Sequence, residues 1–84
     1  MLSNDIRVEA LWDEEAHVWV ASSNDVPGLI TEADSMERLM QKLKILIPEL
    51  LQANGLLDEP DAADIPIHLL GKWDEVIKRS TSNG

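Results

Sequence analysis

Apolar and polar positions alternate from Ile6 to Asp13: Ile6, Val8, Ala10 and Trp12 fall on one side, Arg7, Glu9, Leu11 and Asp13 on the other. A period of two marks a strand with one buried face. Asp13-Glu14-Glu15-Ala16 interrupts it as a short polar connection. His17 to Ser22 then resumes it, with Val18 and Val20 facing one way and Trp19 and Ala21 the other. These two strands are expected to pair antiparallel. Ser23-Asn24-Asp25 and Pro27-Gly28 are turn residues, and Leu29-Ile30-Thr31-Glu32 after them reads as a short third strand.

The period changes at Asp34-Ser35-Met36-Glu37, which has the spacing of a capping box with Asp34 as the cap. Stepping about 100° per residue gathers Met36, Leu39, Met40, Leu43, Leu46, Ile47, Leu50 and Leu51 into one arc of a helix. Glu37, Arg38, Gln41, Lys42 and Glu49 lie outside it. Asn54-Gly55 supplies the stop. Two residues fit badly: Pro48 lacks an N–H for the Lys44 carbonyl, so a kink or restart near Ile47 is expected, and apolar Ile45 projects away from the arc. Residues 58–64 read as an acidic loop. Ile65, Ile67 and Leu69 then alternate with Pro66, His68 and Leu70 as a last strand, which Pro66 confines to an edge and Gly71 ends. Residues 72–79 suit a short helical turn, and 80–84 a disordered tail. The pattern predicts one α+β domain over residues 1–79, β-β-β-α-β, an antiparallel sheet with one long helix packed on one face.

Length agrees with a single domain, since 84 residues are too few for two. Three Trp and 44% hydrophobic residues provide for a core. Charge adds direction: seven bases against sixteen acids give a net of −9, which repels phosphate backbones and anionic lipid. Direct nucleic-acid and membrane binding are therefore not expected. Residues 1–34 hold eight acids and the single base Arg7, a segmental charge of −7, so a charged partner should be basic. The apolar run Ile45 to Pro48 falls far short of the ~20 residues that span a bilayer, and the N-terminus lacks the look of a signal peptide. A cytoplasmic location follows as the expectation.

Candidate chemistry is sparse. Without Cys there are no disulfides or thiolate metal sites, and His17 and His68 have no ligand-spaced partner. Asp25, Glu32 and Asp34 are of the type that holds a divalent cation in nucleases, but a turn role for Asp25 and a capping role for Asp34 account for two of them. Ser22, Ser23, His17 and Asp25 contain the residue types of a nucleophilic triad within nine positions, too short a stretch for convergent geometry. The four glycines stand singly, so no phosphate loop occurs. Trp12, Trp19 and Trp73 in so acidic a chain point to packing rather than base stacking. No catalytic, cofactor or metal site is expected.

Taken in order, Trp12-Asp13-Glu14-Glu15-Ala16, Val18-Trp19-Val20-Ala21, Asp25-Val26-Pro27-Gly28-Leu29, Thr31-Glu32-Ala33-Asp34-Ser35, Ile47-Pro48-Glu49-Leu50-Leu51 and Asn54-Gly55 carry a family likeness. The chain resembles the HicB-like antitoxin superfamily, most closely its short stand-alone branch of unknown function, from about Ile6 to Leu70. The resemblance implies three antiparallel strands, a helix across them and a further strand, a degenerate RNase-H-like layout that often assembles as dimers or tetramers. It also implies a partner: in full-length HicB antitoxins this domain blocks HicA, a small basic RNA-cleaving toxin, while a separate C-terminal segment binds operator DNA. Only five residues follow Arg79, so operator binding is not expected here.

The leading expectation is a non-enzymatic interaction module whose acidic surface engages a basic, HicA-like protein. The alternative is a stand-alone homo-oligomer that binds a small ligand or an unrelated regulator, and an enzyme reading would make Asp25, Glu32 and Asp34 nuclease carboxylates. Homo-oligomerisation is expected because so small a domain gains by burying apolar surface between copies. The candidate interface is the final strand with its neighbours, Ile67, Leu69, Leu70, Ile45 and Trp73.

Overall fold

A computed structural model describes residues 5–57 and 64–80. Strands β1 (Ile6–Asp13), β2 (Val18–Ser22) and β3 (Ile30–Ala33) are followed by helix α1 (Met36–Ala53) and strand β4 (Ile67–Lys72), the β-β-β-α-β order expected. The sheet runs β3-β2-β1-β4. β1 pairs antiparallel with β2, and β2 with β3. β4 pairs parallel with β1, so the sheet is mixed rather than antiparallel. The cause is parity: the two turns, the entry into the helix and the exit from it each reverse the chain, and four reversals leave β4 pointing along β1.

The first connection is closed by Asp13. Its Oδ1 accepts from the N–H groups of Glu15 (3.0 Å) and Ala16 (3.2 Å), and its carbonyl from His17 (2.7 Å). His17 has φ 57°, the left-handed conformation in which His is enriched among non-glycine residues, so β2 begins one residue later than the alternation predicts. The second connection places Val26 and Leu29 in the core, with the Leu29 N–H on the Val26 carbonyl at 3.1 Å and Gly28 at φ 85°. Leu29 is thus a turn anchor rather than the first strand residue.

Ser35, not Asp34, caps α1: its Oγ accepts from the Arg38 N–H at 3.1 Å. Ser35 stands three residues before Arg38, the spacing a cap requires. Asp34 lies outside the helix and reaches the Arg38 guanidinium at 3.6 Å. α1 runs through Pro48 as one element, with no restart. Proline deprives only the Lys44 carbonyl of its bond, while buried Leu43, Ile47 and Leu51 on either side hold the helix to the sheet. Beyond Asn54, the N–H groups of Gly55 and Leu56 return to the carbonyls of Gln52 (3.0 Å) and Leu51 (2.8 Å), with Gly55 at φ 70°. This paired closure needs a residue that tolerates positive φ.

Leu39, Leu43, Ile47 and Leu51 of α1 pack on Ile6, Val8 and Ala10 of β1, Ala21 of β2 and Ala33 of β3. Ile67 and Leu69 extend this face from β4, half-buried against the core. β4 is an edge strand, as Pro66 requires, and the Pro66 carbonyl still accepts from the Ile6 N–H at 3.0 Å. Gly71 does not end β4, which continues to Lys72. A Cβ at Gly71 would come within 2.9 Å of Met36 Cε and 3.3 Å of Trp19 Cζ3, so the glycine admits these side chains to the sheet. Residues 73–80 form no helical turn, because eight residues with no buried face do not offset the cost of helix nucleation. The acidic loop at 58–63 and the tail at 81–84 lie outside the described residues.

Candidate functional site

Since α1 covers one face of the sheet, the side chains that alternate away from it form a second, open face. The strand register sets its composition. One row reads Ile30, Ser22, Glu9, Leu70 from β3 to β4, and the next reads Glu32, Val20, Leu11, Lys72. Asp13 and Val18 lie beyond the second row, and Arg7 and His68 before the first. The face is a strip of apolar residues, Leu11, Val20, Ile30 and Leu70, set among Glu9, Asp13 and Glu32 on one hand and Arg7 and Lys72 on the other. The hairpin adds Glu14 and Glu15 at the Asp13 end, where Glu14 Oε1 accepts from Trp12 Nε1 at 2.8 Å.

At the opposite end, a cleft of about 670 Å³ is lined by Asp5, Arg7, Asp25, His68 and Leu70. Its polar groups complete the sheet. The pairing of β2 with β1 ends at Glu9 and Ser22, which leaves the Arg7 backbone without a ladder partner on that side. Asp25 Oδ2 accepts from the Arg7 N–H at 2.9 Å, Ser23 Oγ donates to the Arg7 carbonyl, and the same Oγ accepts from the Asp25 N–H at 3.0 Å. Buried or edge backbone groups need such partners. Across the cleft, His68 Nε2 meets Asp5 Oδ2. No sequence signal joins these two residues, since what brings them together is the parallel docking of β4 on β1.

The residue sets of the sequence therefore separate. Asp25 lines the cleft beside Arg7, whereas Glu32 and Asp34 border a hollow at the β3 edge of the sheet with Val18, Arg38 and Lys42. Lys42 Nζ donates to the Glu32 carbonyl at 2.6 Å. The three carboxylates do not share a pocket, and among the described residues no three His, Cys, Asp or Glu side chains are grouped to hold a metal. Ser22, Ser23 and Asp25 lie at one end of β2 and His17 at the other, where its ring meets Trp12 edge-on at 6.0 Å.

The tryptophans gather at the hairpin end. Trp12 and Trp73 stack at 4.4 Å with planes 13° apart, and Trp19 meets both edge-on, at 5.3 and 5.6 Å. Trp73 thus has a partner within its own chain. The five candidate interface residues do not form one patch. Ile67 and Leu69 face the helix, Leu70 faces the open side, Ile45 lies on the outer surface of α1, and Trp73 sits in the aromatic cluster.

The family described as a domain of unknown function (DUF1902) matches residues 5–78. The chain belongs to that family. In this DUF1902 chain the match takes in all four strands and the helix, and continues into the segment after Trp73. The solved structure of a hypothetical protein, TTHA1013, from the extremely thermophilic bacterium Thermus thermophilus is similar, at 43% identity and a TM-score of 0.65, covering 90% of this chain and all of that one. No curated protein matches the chain. Among the described residues, no helix is long and apolar enough to cross a membrane.

Proposed function

We propose that this DUF1902 chain is a cytoplasmic, non-enzymatic protein-interaction module, related to the toxin-binding domain of HicB antitoxins, that engages a small basic protein through its acidic surface. The observation that supports this reading is the placement of the acids. Glu9, Asp13 and Glu32 lie on the open face, Glu14 and Glu15 follow Asp13 on the hairpin, and all but the half-buried Asp13 are exposed. Such a surface speeds and orients the approach of a cationic partner, and a small, basic, RNA-cleaving toxin of HicA type is the partner this chemistry suits.

The test is inhibition of RNA cleavage by a purified HicA-type toxin, measured at rising salt and with Glu14→Lys/Glu15→Lys. Screening acts over about 8 Å at physiological ionic strength, so inhibition should weaken as salt rises and again in the charge-reversed variant. Inhibition unaffected by both changes, or absent at low salt, would overturn the reading.

A further inference from the structure

Beyond the Trp73 stack the chain leaves the sheet as an arm without regular structure. Val76 and Ile77 on it are 82% and 87% exposed. Across the sheet, Leu11, Leu70 and Ile30 on the open face are 53%, 52% and 77% exposed. Two uncovered apolar surfaces thus occur in one chain, one a strip and the other a strand-like segment able to lie on it. Such surfaces mark interaction sites when they adjoin one another.

We propose that residues 74–79 of one copy lie across the open sheet face of a second copy, the two arms being exchanged about a two-fold axis. Length allows it. Six extended residues reach about 20 Å at ~3.3 Å each, and a four-stranded sheet is about 14 Å from first to last strand. Charge favours it. The arm ends in Lys78 and Arg79, while the apolar strip lies among three acids, Glu9, Asp13 and Glu32, against two bases, Arg7 and Lys72. The Trp73 Nε1 donates to Glu75 Oε1 at 3.1 Å, which turns one of the arm's two acids back toward the tryptophan and leaves the basic end to lead.

Alternation decides between a second copy and the chain's own surface. Consecutive side chains of an extended segment point to opposite sides, so an arm folded back on its own domain would cover Val76 or Ile77 but not both. An arm held between two copies covers both. Reciprocity then doubles the gain, because each contact made by one copy is repeated by the other. The family match runs to residue 78, so the arm belongs to the family's unit rather than to an appendage. This surface is distinct from the free edge of β4, and the inference stands whether or not a basic toxin is the physiological partner.

The experiment uses the full chain at micromolar concentration. Sedimentation should give about twice 9.4 kDa, and both Val76→Asp/Ile77→Asp and truncation after Trp73 should return the monomer mass with circular dichroism unchanged. The dissociation constant should rise by about 30-fold or more, the effect of losing a central apolar contact. Because the chain has no cysteine, introduced thiols are the only ones present. Leu11→Cys/Ile77→Cys should give a covalent dimer on mild oxidation, and Ile45→Cys/Ile77→Cys should not. A wild-type mass of 9.4 kDa, a dimer that survives both arm changes, or equal cross-linking through Ile45 would each refute arm exchange. If truncation unfolds the chain, the aspartate pair and the cross-link carry the decision.

Discussion

Replacing Leu43 by alanine probes the arc that holds the helix to the sheet. Leu43 has no solvent exposure, and the change removes three side-chain carbons at about 0.8 kcal/mol each, or about 2.4 kcal/mol of transfer free energy. A sealed cavity would add to this, taking the total to as much as about 5 kcal/mol. Leu43 is not sealed on every side: with Lys44, Ile47, Pro48, Asp64, Ile65 and Ile67 it lines a surface cleft of about 290 Å³. Neighbours can therefore relax and water can enter, so the cost should be about 2 to 3 kcal/mol, in the lower part of the usual range. For a domain of this size that lowers the melting temperature by about 8 to 24 °C. Urea denaturation followed by tryptophan fluorescence measures it, with Gln41→Ala and Ile45→Ala as exposed controls that should stay within about 0.5 kcal/mol. Comparable losses at Leu43 and Gln41 would mean that the helix does not face the sheet as described.

Two further outcomes test local features. Ser35→Ala should cost about 1 kcal/mol through loss of the cap on the Arg38 N–H, and Asp34→Ala less than about 0.5 kcal/mol because its pairing with Arg38 is exposed; the reverse order in denaturation midpoints would restore Asp34 as the cap. Gly71→Ala should cost about 1 to 3 kcal/mol by overpacking, since its Cβ would come within 2.9 Å of Met36 Cε and 3.3 Å of Trp19 Cζ3. Part of that cost should vanish in a Met36→Ala background, and strict additivity of the two changes would exclude the contact as its origin.

Strand and helix positions were legible because each depends on a local period. Ile6, Val8 and Ala10 alternate as the register requires, and the arc from Leu39 to Leu51 is the buried face. The parallel pairing of β4 was legible in principle from the count of reversals, but the choice of β1 rather than β3 as its neighbour was not, because both lie at the same parity. That choice decides which side chains meet. It sets Leu70 beside Glu9 and Lys72 beside Leu11, and brings His68 to Asp5, 63 residues away in sequence. Val26 and Leu29 escaped a reading by period, since a turn has none, although both are core residues. Gly71 has the composition of a strand end and the role of a packing gap. Only the approach of Met36 and Trp19, from two other elements, separates the two.

The residues that carry reactive groups were the least informative part of the sequence, for a physical reason. A short chain has few buried backbone bonds to spare, and irregular connections need side chains to satisfy the backbone groups the sheet and helix leave over. Asp13 closes the hairpin, Ser23 and Asp25 complete β1 at Arg7, Ser35 caps the helix. Asn54 Nδ2 donates to the carbonyls of Leu50 at 2.7 Å and Pro27 at 3.3 Å, tying the second turn to the helix end. Each would otherwise be a candidate nucleophile, base or ligand, and each is engaged in holding a connection. Among the described residues, the alternation turns a second set of groups outward: the apolar strip of the open face, Glu9 and Glu32 beside it, and, further along, Val76 and Ile77 on the arm. In a molecule of net charge −9 the open face of the sheet is the surface on which exposed apolar residues and carboxylates stand together.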